Sequence, residues 1–406
     1  MNVWQSRPTP LQELLLKASL LHGDDSLRAW EAWISEADID QLDGGSIRLL
    51  PLLYVHLKSQ GVSAPQMPRF KGVYRHTWCQ NQLLVRGVTP VLSALEVAGI
   101  PTLLLKGAAL IHRYYPDYGQ RPMGDFDLLV PVAEAWRAME MLCARGWQPA
   151  HGEESFGKKL VANGREQAFL SPDKQRLDLH WHVLESFFDE RGAEKSDAMF
   201  WGGAQLTLFH GVPTRVPNPA DLLLHVCVHG AEGHPLMPPL RWAADGFHLL
   251  KTPGLEMDWD RLLRQAREHH LGLPLYDTLS YLSGALDAPV PPVVLQGLRS
   301  IPSSRRQRLR YILWTGPPAA RAALMPPASA LEALQSHRRT YAQWTAAQRG
   351  SGGNRGILVY LQDAWGLDSP GQVPPTILRR VLKKITATVV TAWNRRAVSK
   401  KPSTSV

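Results

Sequence analysis

One segment, residues 103–130, constrains the fold of this chain more than any other part of the sequence. It reads LLLKGAALIHRYYPDYGQRPMGDFDLLV: an apolar run stops at Lys106 and Gly107, a helical stretch follows, and a second apolar run begins around Asp125. Short apolar runs bounded by turn residues are typical of buried strands. The segment therefore predicts a strand over 101–105, a short helix, and a second strand over 125–130.

The second of these strands presents two carboxylates side by side. Successive side chains of a strand point to opposite faces, so Asp125 and Asp127 share one face while Phe126 and Leu128 enter the core. Adjacent carboxylates repel each other unless a positive charge lies between them, and a hard divalent cation with oxygen ligands is the usual occupant. The pattern predicts a Mg²⁺ site.

A later strand carries a third carboxylate. Residues 176–183 (RLDLHWHV) alternate between apolar and polar, which places Asp178, His180 and His182 on one face of a half-buried strand. If this strand pairs beside the one with Asp125 and Asp127, three carboxylates converge at one edge of a small mixed sheet. Three acidic groups are what two-metal phosphoryl transfer needs. His180 either lines that site and touches a phosphate or has a structural role.

Groups suited to a triphosphate lie beside the same carboxylates. Gly107, at the junction of strand and helix, lets the backbone approach a phosphate closely, and the N-terminus of the following helix offers free N–H groups. Lys106 and Arg121 are flanking cations suited to contacts with the β- and γ-phosphates. In such a site one metal ion activates the attacking hydroxyl, and the other holds the triphosphate and neutralises the leaving pyrophosphate.

The succession of periodic segments divides the chain into four regions and predicts an α+β fold that is mostly helical. Hairpins are expected around 155–170 and at 205–216, and the second helical region starts at Asn218 as the cap, with Pro219 in the first helical position. The regions are an N-terminal helical region at 1–98, a core with strands at 99–217, a helical bundle packed on the core at 218–295, and a helical extension with a basic tail at 296–406.

The composition indicates a globular cytoplasmic protein. With 406 residues, of which 44% are hydrophobic and 20% charged, the chain can bury the cores of two or three domains. The N-terminus lacks the pattern of a secretory signal, and no apolar window is long enough to predict a membrane span. The three cysteines are far apart and none belongs to a CxxC motif, which argues against disulfides and against a structural zinc site.

The positive charge is concentrated at one end. The net charge is +9, and residues 376–401 hold eight lysines and arginines without any acidic residue, so the rest of the chain is close to neutral. The body therefore shows no sign of a large nucleic-acid surface. The basic tail is expected either to be a solvated terminal helix or to contact RNA, an anionic membrane or a protein partner.

These residues resemble those of the nucleotidyltransferases of the DNA polymerase β superfamily. The resemblance is greatest to the bacterial group described as uncharacterised nucleotidyltransferases, which has a Lys-Gly…Arg…Asp-x-Asp core, and it runs from about residue 100 to residue 290. The matching segments are Leu105–Leu110, Tyr115 and Pro116, Arg121, Asp125–Val130, Leu177–Trp181, the helix with His225 and His229, and Leu240–Trp242 with Asp245.

The resemblance implies a small polymerase β-like core that transfers a nucleoside monophosphate from an NTP to a hydroxyl and releases pyrophosphate. It implies Asp125 and Asp127 as metal ligands, Asp178 as the third carboxylate and the base, and Mg²⁺ or Mn²⁺ as the cofactor. Because the body is nearly neutral, a small-molecule or protein acceptor is expected rather than a polynucleotide. The nucleotide-binding residues are expected to be Lys106, Gly107, Ala108, Arg121 and His180.

Ala108 departs from the superfamily pattern and keeps a second hypothesis open. The superfamily has Gly or Ser at this position, and alanine removes the hydroxyl contact to the triphosphate. The alternative is therefore a catalytically weak or inactive module that retains the fold and serves as a binding or regulatory partner in a biosynthetic or toxin–antitoxin system. A third hypothesis takes Asp125-Phe126-Asp127 as the metal motif of a sugar-nucleotide glycosyltransferase, but such a fold needs a nucleotide-binding βαβ region before the motif, where residues 1–98 are helical.

Two further pairs have the four-residue spacing that places side chains on one helix face. His225 and His229 have the spacing of two zinc ligands, but no third ligand with suitable spacing is evident, so packing against the catalytic sheet is the favoured interpretation. Arg241 and Asp245 either form an intrahelical ion pair or, by resemblance, bind substrate.

Overall fold

The chain runs from N-terminal helices through one mixed β-sheet to C-terminal helices, which confirms the predicted α+β class. The structure is a computed structural model. It describes residues 7–150, 161, 164–184, 193–232, 240–305, 307–308, 311, 358–359 and 369–375.

Five helices precede the first strand and correspond to the predicted helical region. The first helix begins with a reciprocal cap, in which the Thr9 hydroxyl accepts from the backbone N–H of Gln12 and the Gln12 side chain accepts from the backbone N–H of Thr9. Apolar side chains at helical spacing, such as Leu15, Leu53 and Leu57, are fully buried. The helices are α1 Pro10–Leu20, α2 Asp24–Glu36, α3 Gly44–Ile47, α4 Leu50–Ser59 and α5 Met67–Val97.

Within the described ranges, seven strands form one mixed sheet. The second strand lies between β5, to which it is parallel, and β1, to which it is antiparallel, and β1 is parallel to β7. The strand order is β3-β4-β5-β2-β1-β7-β6. The strands are β1 Leu103–Leu104, β2 Phe126–Leu129, β3 Gln148–Pro149, β4 Glu166–Leu170, β5 Arg176–His180, β6 Gln205–Phe209 and β7 Val212–Val216.

The predicted strands that fall within the described residues are present, and the structure corrects one exposure. The hairpin predicted at 205–216 is formed by β6 and β7. Residues 166–170 form a hairpin with β5. Their predicted pairing with 155–161 involves residues 155–160, which lie outside the described part of the chain. The strand predicted over 176–183 ends at His180, and its polar face is not half-exposed, because Asp178 and His180 are both buried. Another element covers that face.

The remaining helices lie between the strands or after the last strand in the order of the sequence. Helix α7 ends before Gly146, which has the predicted left-handed conformation with φ +81°. Helix α9 begins as predicted, since the Asn218 side chain accepts from the backbone N–H of Ala220 at 2.9 Å. The helices are α6 Lys106–Arg113, α7 Val132–Cys143, α8 Ala193–Gly203, α9 Pro219–Glu232, α10 Arg241–Leu250, α11 Trp259–Glu268, α12 Gly272–Leu286 and α13 Pro292–Arg299.

The chain divides into two compact units, Met1–Thr315 and Gly316–Val406. The regions predicted at 1–98, 99–217 and 218–295 all belong to the first unit. The predicted basic tail at 376–401 lies outside the described residues. Among the helices that are described, none combines the length and the apolar character needed to cross a membrane.

Candidate active site

Three carboxylates lie in a row on one face of the β2–β5 pair. These parallel strands place Asp127 opposite Asp178, and opposite residues of neighbouring strands share a face. Asp125 comes two residues before Asp127 and belongs to the same face. Its carboxylate interacts electrostatically with both others. The structure thus brings together Asp125, Asp127 and Asp178, which we call the carboxylate row.

Asp127, in the middle of the carboxylate row, accepts hydrogen bonds from two cations. Lys106 Nζ donates to its Oδ1 at 2.8 Å, and His180 Nε2 donates to the same oxygen at 2.9 Å. Burial alone would raise the pKa of Asp127, but the charges and hydrogen bonds of Lys106 and His180 hold this pKa well below its usual range. Asp127 is therefore an ionised carboxylate with two positive partners, of which His180 is buried and Lys106 is partly exposed.

The ring of His180 bridges two carboxylates. Its Nε2 donates to Asp127 and its Nδ1 donates to Glu166 Oε2 at 2.9 Å. Burial and the charge of Lys106 lower the pKa of His180, but the two hydrogen bonds to carboxylates outweigh them and raise it to about 9. The hydrogen bond from His180 in turn lowers the pKa of Glu166 to about 2. His180 is consequently an imidazolium at neutral pH.

The charge of His180 makes a pH-dependent contribution to stability. The pKa of His180 is about 9 in the folded chain and 6.5 for an ordinary histidine, so the contribution is complete below pH 6.5 and is lost as the pH rises through 9. In urea unfolding of the metal-free chain, we expect the stability difference between wild type and His180→Gln to shrink by a few kcal/mol between pH 6 and pH 10. Parallel pH profiles for the two proteins would contradict a charged His180.

Asp178 is bound by a residue of its own strand. Arg176 donates from Nε to Oδ1 at 2.8 Å and from Nη2 to Oδ2 at 3.0 Å. The side chain of Arg176 is 44% exposed, whereas that of Asp178 is 6% exposed. Arg176 was not among the predicted site residues, although its position two residues before Asp178 places both side chains on one face of a strand.

Asp125 differs from the other two carboxylates because no hydrogen bond to its side chain is found within the described ranges. Burial raises the pKa of Asp125, and repulsion from Asp127 and Asp178 raises it further, while Lys106 and Arg241 oppose the shift. The carboxylate row therefore has more negative charge at its Asp125 end than the neighbouring side chains neutralise. An added cation would relieve that repulsion.

The turn from β1 into α6 has an unusual backbone conformation. Lys106 has φ +39°, a left-handed value that is costly for a residue with a side chain and that clusters at functional sites. A Cβ on Gly107 would lie 2.7 Å from Arg121 Nη1, so this position requires glycine. The methyl group of Ala108 is fully buried, so any contact of this residue with a nucleotide has to come from its backbone.

Arg121 lies against this turn and is bound to Asp245 of α10. Its Nε and Nη2 donate to the two carboxylate oxygens at 2.7 and 2.8 Å, and the Tyr115 hydroxyl donates to Oδ1 at 2.8 Å. Burial lowers the pKa of Arg121, but the charge of Asp245 more than compensates and raises it. Two of the guanidinium nitrogens predicted to meet a phosphate are thus used by Asp245, and Nη1 is the one nearest Gly107.

The described hydrogen bonds do not include the intrahelical pair between Arg241 and Asp245 that their four-residue spacing allows. The carboxylate of Asp245 accepts from Arg121 and Tyr115, while Arg241 donates to the backbone carbonyl of Pro122 at 3.2 Å. Burial and the charge of Arg121 lower the pKa of Arg241 to about 10. Both arginines therefore hold the loop before β2 against α10.

A pocket adjoins the carboxylate row at its His180 end. Its lining includes Lys106, Glu166, His180, His182 and His225. His225 projects from α9; it is buried, and no described residue forms a hydrogen bond with its Nδ1. Desolvation and the charge of Lys106 hold the pKa of His225 well below its usual value, so the ring is neutral.

The side chains around the carboxylate row determine which metal ion could bind there. Over the residues whose positions are described, no three His, Cys, Asp or Glu side chains already form a metal-binding group, so the spacing of His225 and His229 is not accompanied by a zinc site there. The carboxylate row nevertheless supplies oxygen ligands of the kind that Mg²⁺ and Mn²⁺ prefer. The repelled carboxylate of Asp125, next to Asp127, fits a divalent cation. In the structure, the charges of Asp127 and Asp178 are neutralised by Lys106 and Arg176.

A protein family and a solved structure are similar to this chain. The sequence profile of a family described as uncharacterised nucleotidyltransferase matches residues 46–286, which is more than half of the chain and includes the carboxylate row. No curated protein matches. Among solved structures, an antigenic nucleotidyltransferase-like protein from Paracoccidioides brasiliensis is similar at 16% identity and a TM-score of 0.37, over 52% of this chain and 95% of that one. A likeness at this level carries no argument about function.

Proposed function

Because this chain belongs to the uncharacterised nucleotidyltransferase family, we propose that it transfers a nucleoside monophosphate from an NTP to a hydroxyl group and releases pyrophosphate. The observation that carries the proposal is the carboxylate row on one face of β2 and β5, next to the strained turn at Lys106. Acidic ligands beside a cationic turn are the elements that phosphoryl transfer requires.

Asp125 and Asp127 are the residues that would hold a divalent cation, Mg²⁺ or Mn²⁺, with Asp178 as the third carboxylate. When bound, such an ion neutralises charge on the phosphates and lowers the pKa of an attacking hydroxyl. Asp125 is the first ligand in this proposal because its carboxylate is repelled by the other two. The exposed side chain of Arg176 can leave Asp178 at the small energetic cost typical of partly solvated ion pairs.

The triphosphate in this proposal lies along the Lys106 turn. Lys106 and the imidazolium of His180 are positive charges bound to the same oxygen of Asp127. Lys106 can also donate to phosphate oxygens, whereas His180, whose two ring nitrogens donate to carboxylates, contributes its charge. The backbone N–H groups of Gly107 and Ala108 at the start of α6 supply further donors, and Arg121 contributes through Nη1 at most. Positioning, rather than covalent chemistry, is the contribution of these residues.

For the acceptor, we propose a hydroxyl of a small molecule or of a protein in the cytoplasm. Outside the basic tail the chain is nearly neutral, whereas surfaces that bind polynucleotides carry an excess of lysine and arginine. The tail at 376–401 is proposed to contact RNA, an anionic membrane or a protein partner.

The proposal is tested by incubating the protein with each α-labelled NTP and Mg²⁺ or Mn²⁺, with and without cell extract. We expect label to appear in a product, pyrophosphate to be released, and both to stop when EDTA removes the metal. Asp125→Asn should reduce transfer to background while slightly stabilising the metal-free fold, because it removes a repelled charge that makes no hydrogen bond. Asp173→Asn, in the exposed turn between β4 and β5, is the matched control and should behave as wild type.

A second candidate function has one specific observation in its favour. Lys106 and Arg176 already neutralise Asp127 and Asp178, as expected of a fold that has lost its metal and serves as a binding or regulatory module. Calorimetry separates the two candidates. Binding of NTP that depends on Mg²⁺ and disappears in Asp125→Asn supports the enzyme, whereas an absence of metal-dependent NTP binding in the folded wild type would favour the module.

A further inference from the structure

The pocket beside the carboxylate row contains a histidine that is oriented by a carboxylate. His182 follows β5, and its Nδ1 donates to Asp197 Oδ2 at 2.6 Å, from a residue of α8. The other oxygen of Asp197 accepts from the backbone N–H of Val183 at 2.9 Å, which fixes the carboxylate. This pairing places the proton of a neutral imidazole on Nδ1, so that Nε2 has a lone pair available to accept a proton.

The Nε2 atom of His182 is available for a ligand. His182 lines the pocket together with Lys106 and His180, which also contact Asp127 of the carboxylate row. Its side chain is 14% exposed, and no hydrogen bond to Nε2 is found in the part of the chain that the structure describes. A base with its orientation set by a second residue, next to the site of bond formation, is the arrangement found in general-base catalysis.

We propose that His182 is the catalytic base that accepts the proton of the acceptor hydroxyl, and that Asp197 is the residue that positions it. The proposal rests on the proposed nucleotidyl transfer and assigns the pocket to the acceptor. Asp178, to which the family resemblance gives the role of base, binds Arg176 through both carboxylate oxygens. When Arg176 leaves it, Asp178 is the third carboxylate for the cation in the proposed function, so in neither case is it free to act as the base. His180 has both ring nitrogens bound to carboxylates.

The proposed step can be written with all atoms accounted for. The acceptor hydroxyl gives its proton to His182 Nε2, and the oxygen lone pair forms a bond to the α-phosphorus of the NTP. The bond between the α-phosphorus and the bridging α,β-oxygen breaks, and the electron pair leaves with pyrophosphate. The imidazolium of His182, stabilised by Asp197, then returns the proton to solvent. No oxidant, reductant or further reactant takes part.

The test compares His182→Gln, Asp197→Asn and the control His76→Gln, in which an exposed histidine of α5 is replaced. The reaction is pyrophosphate release from ATP or the NTP preferred by wild type, with Mg²⁺ and with water or glycerol as the acceptor. We expect His182→Gln to be about 10²- to 10⁴-fold slower, to bind the Mg²⁺–NTP complex in calorimetry as wild type does, and to regain part of the rate with added imidazole. His76→Gln should not differ from wild type.

The Asp197→Asn variant provides a readout that a structural role would not move. The asparagine oxygen can still accept from Val183, but its amide donates to His182 Nδ1 and shifts the ring proton to Nε2. We expect ¹⁵N NMR of the imidazoles to show Nδ1–H in wild type and Nε2–H in the variant, with a loss of rate comparable to that of His182→Gln.

Three outcomes would overturn this assignment. A wild-type rate in folded His182→Gln excludes His182 as the base, and weaker NTP binding in that variant makes it a phosphate contact instead. An Nε2–H tautomer in wild type removes the lone pair on which the step depends. If wild type itself releases no pyrophosphate with any NTP, the proposed nucleotidyl transfer fails first, which distinguishes that failure from failure of His182 alone.

Discussion

Asp127→Asn is expected to lower the free energy of unfolding by about 3 kcal/mol and to abolish nucleotidyl transfer. The substitution keeps the shape of the side chain but removes the charge that stabilises two cations, the partly exposed Lys106 and the buried His180. His180 can respond by losing its proton, and Lys106 is 25% exposed, so the loss falls at the lower end of the range for a broken buried ion pair. Urea unfolding at pH 7 without metal measures the effect.

The neighbouring carboxylate of Asp125 provides a matched comparison for the stability effect of Asp127→Asn. Asp125→Asn removes a charge from the same face but should not destabilise the chain, because Asp125 has no cation of its own to stabilise. A double-mutant cycle between Asp127→Asn and His180→Gln should give a coupling free energy of about 1 kcal/mol or more. A loss of less than about 0.5 kcal/mol in Asp127→Asn, as expected for a surface residue, would show that these ion pairs are not formed in solution.

Asp245→Asn is expected to be at least as destabilising, with a loss of about 3–5 kcal/mol. Asp245 and Arg121 are both almost fully buried, and their two hydrogen bonds are reinforced by Tyr115. Neutralising Asp245 leaves the guanidinium charge in the protein interior, where no other anion accepts its hydrogen bonds among the described residues. The Nη1 atom of Arg121 lies only 2.7 Å from where a Cβ on Gly107 would be, so the guanidinium packs against the Lys106 turn. When Asp245 no longer holds the guanidinium in place, this turn should become mobile as well.

The double variant Arg121→Met/Asp245→Leu tests the cause of this loss of stability. The loss comes either from the missing ion pair itself or from the buried charge of Arg121 that is left without its partner. Replacing both partners by apolar residues removes the buried charge and should recover most of the stability lost in Asp245→Asn. If the loss of stability in the double variant equalled the sum of the losses in the two single variants, this would contradict a direct ion pair. Activity is a separate readout: the double variant should fold but transfer more slowly, because the turn has lost its support.

The sequence predicts the carboxylate row because the row depends on short-range periodicity. Alternation within residues 125–130 and 176–180 determines which side chains share a face, and parallel pairing of these strands places Asp127 beside Asp178. The same reasoning identifies the turn at Lys106 and Gly107. The helical regions are equally evident, because caps such as Asn218 and buried leucines at helical spacing are local features of the chain.

The partners of the row are not predictable in this way, because they depend on register and packing between distant segments. Glu166 contacts His180 only because the turn after β4 aligns these two residues. Asp245 and Asp197 reach their partners from helices whose docking leaves no local signal. For Arg176, the strand pattern alone would have been sufficient. Lys106 and His180 are predicted at the site, so what the sequence lacks is which cation binds which carboxylate, and this pairing determines which carboxylate is left to bind a cation.

The strand order of the sheet also determines when such a site can form during folding. The hairpins β4–β5 and β6–β7 join neighbouring segments, but His180 meets Asp127 across 53 residues, and Thr102 on the β1 side meets Thr214 across 112. Contacts between distant segments form slowly, because the loop between them has to close first. A nascent chain that has not yet emerged past β5 would have Asp125 and Asp127 but neither Asp178 nor His180. The complete set of charges thus appears only after residue 180 has been synthesised and the parallel strands β2 and β5 have joined.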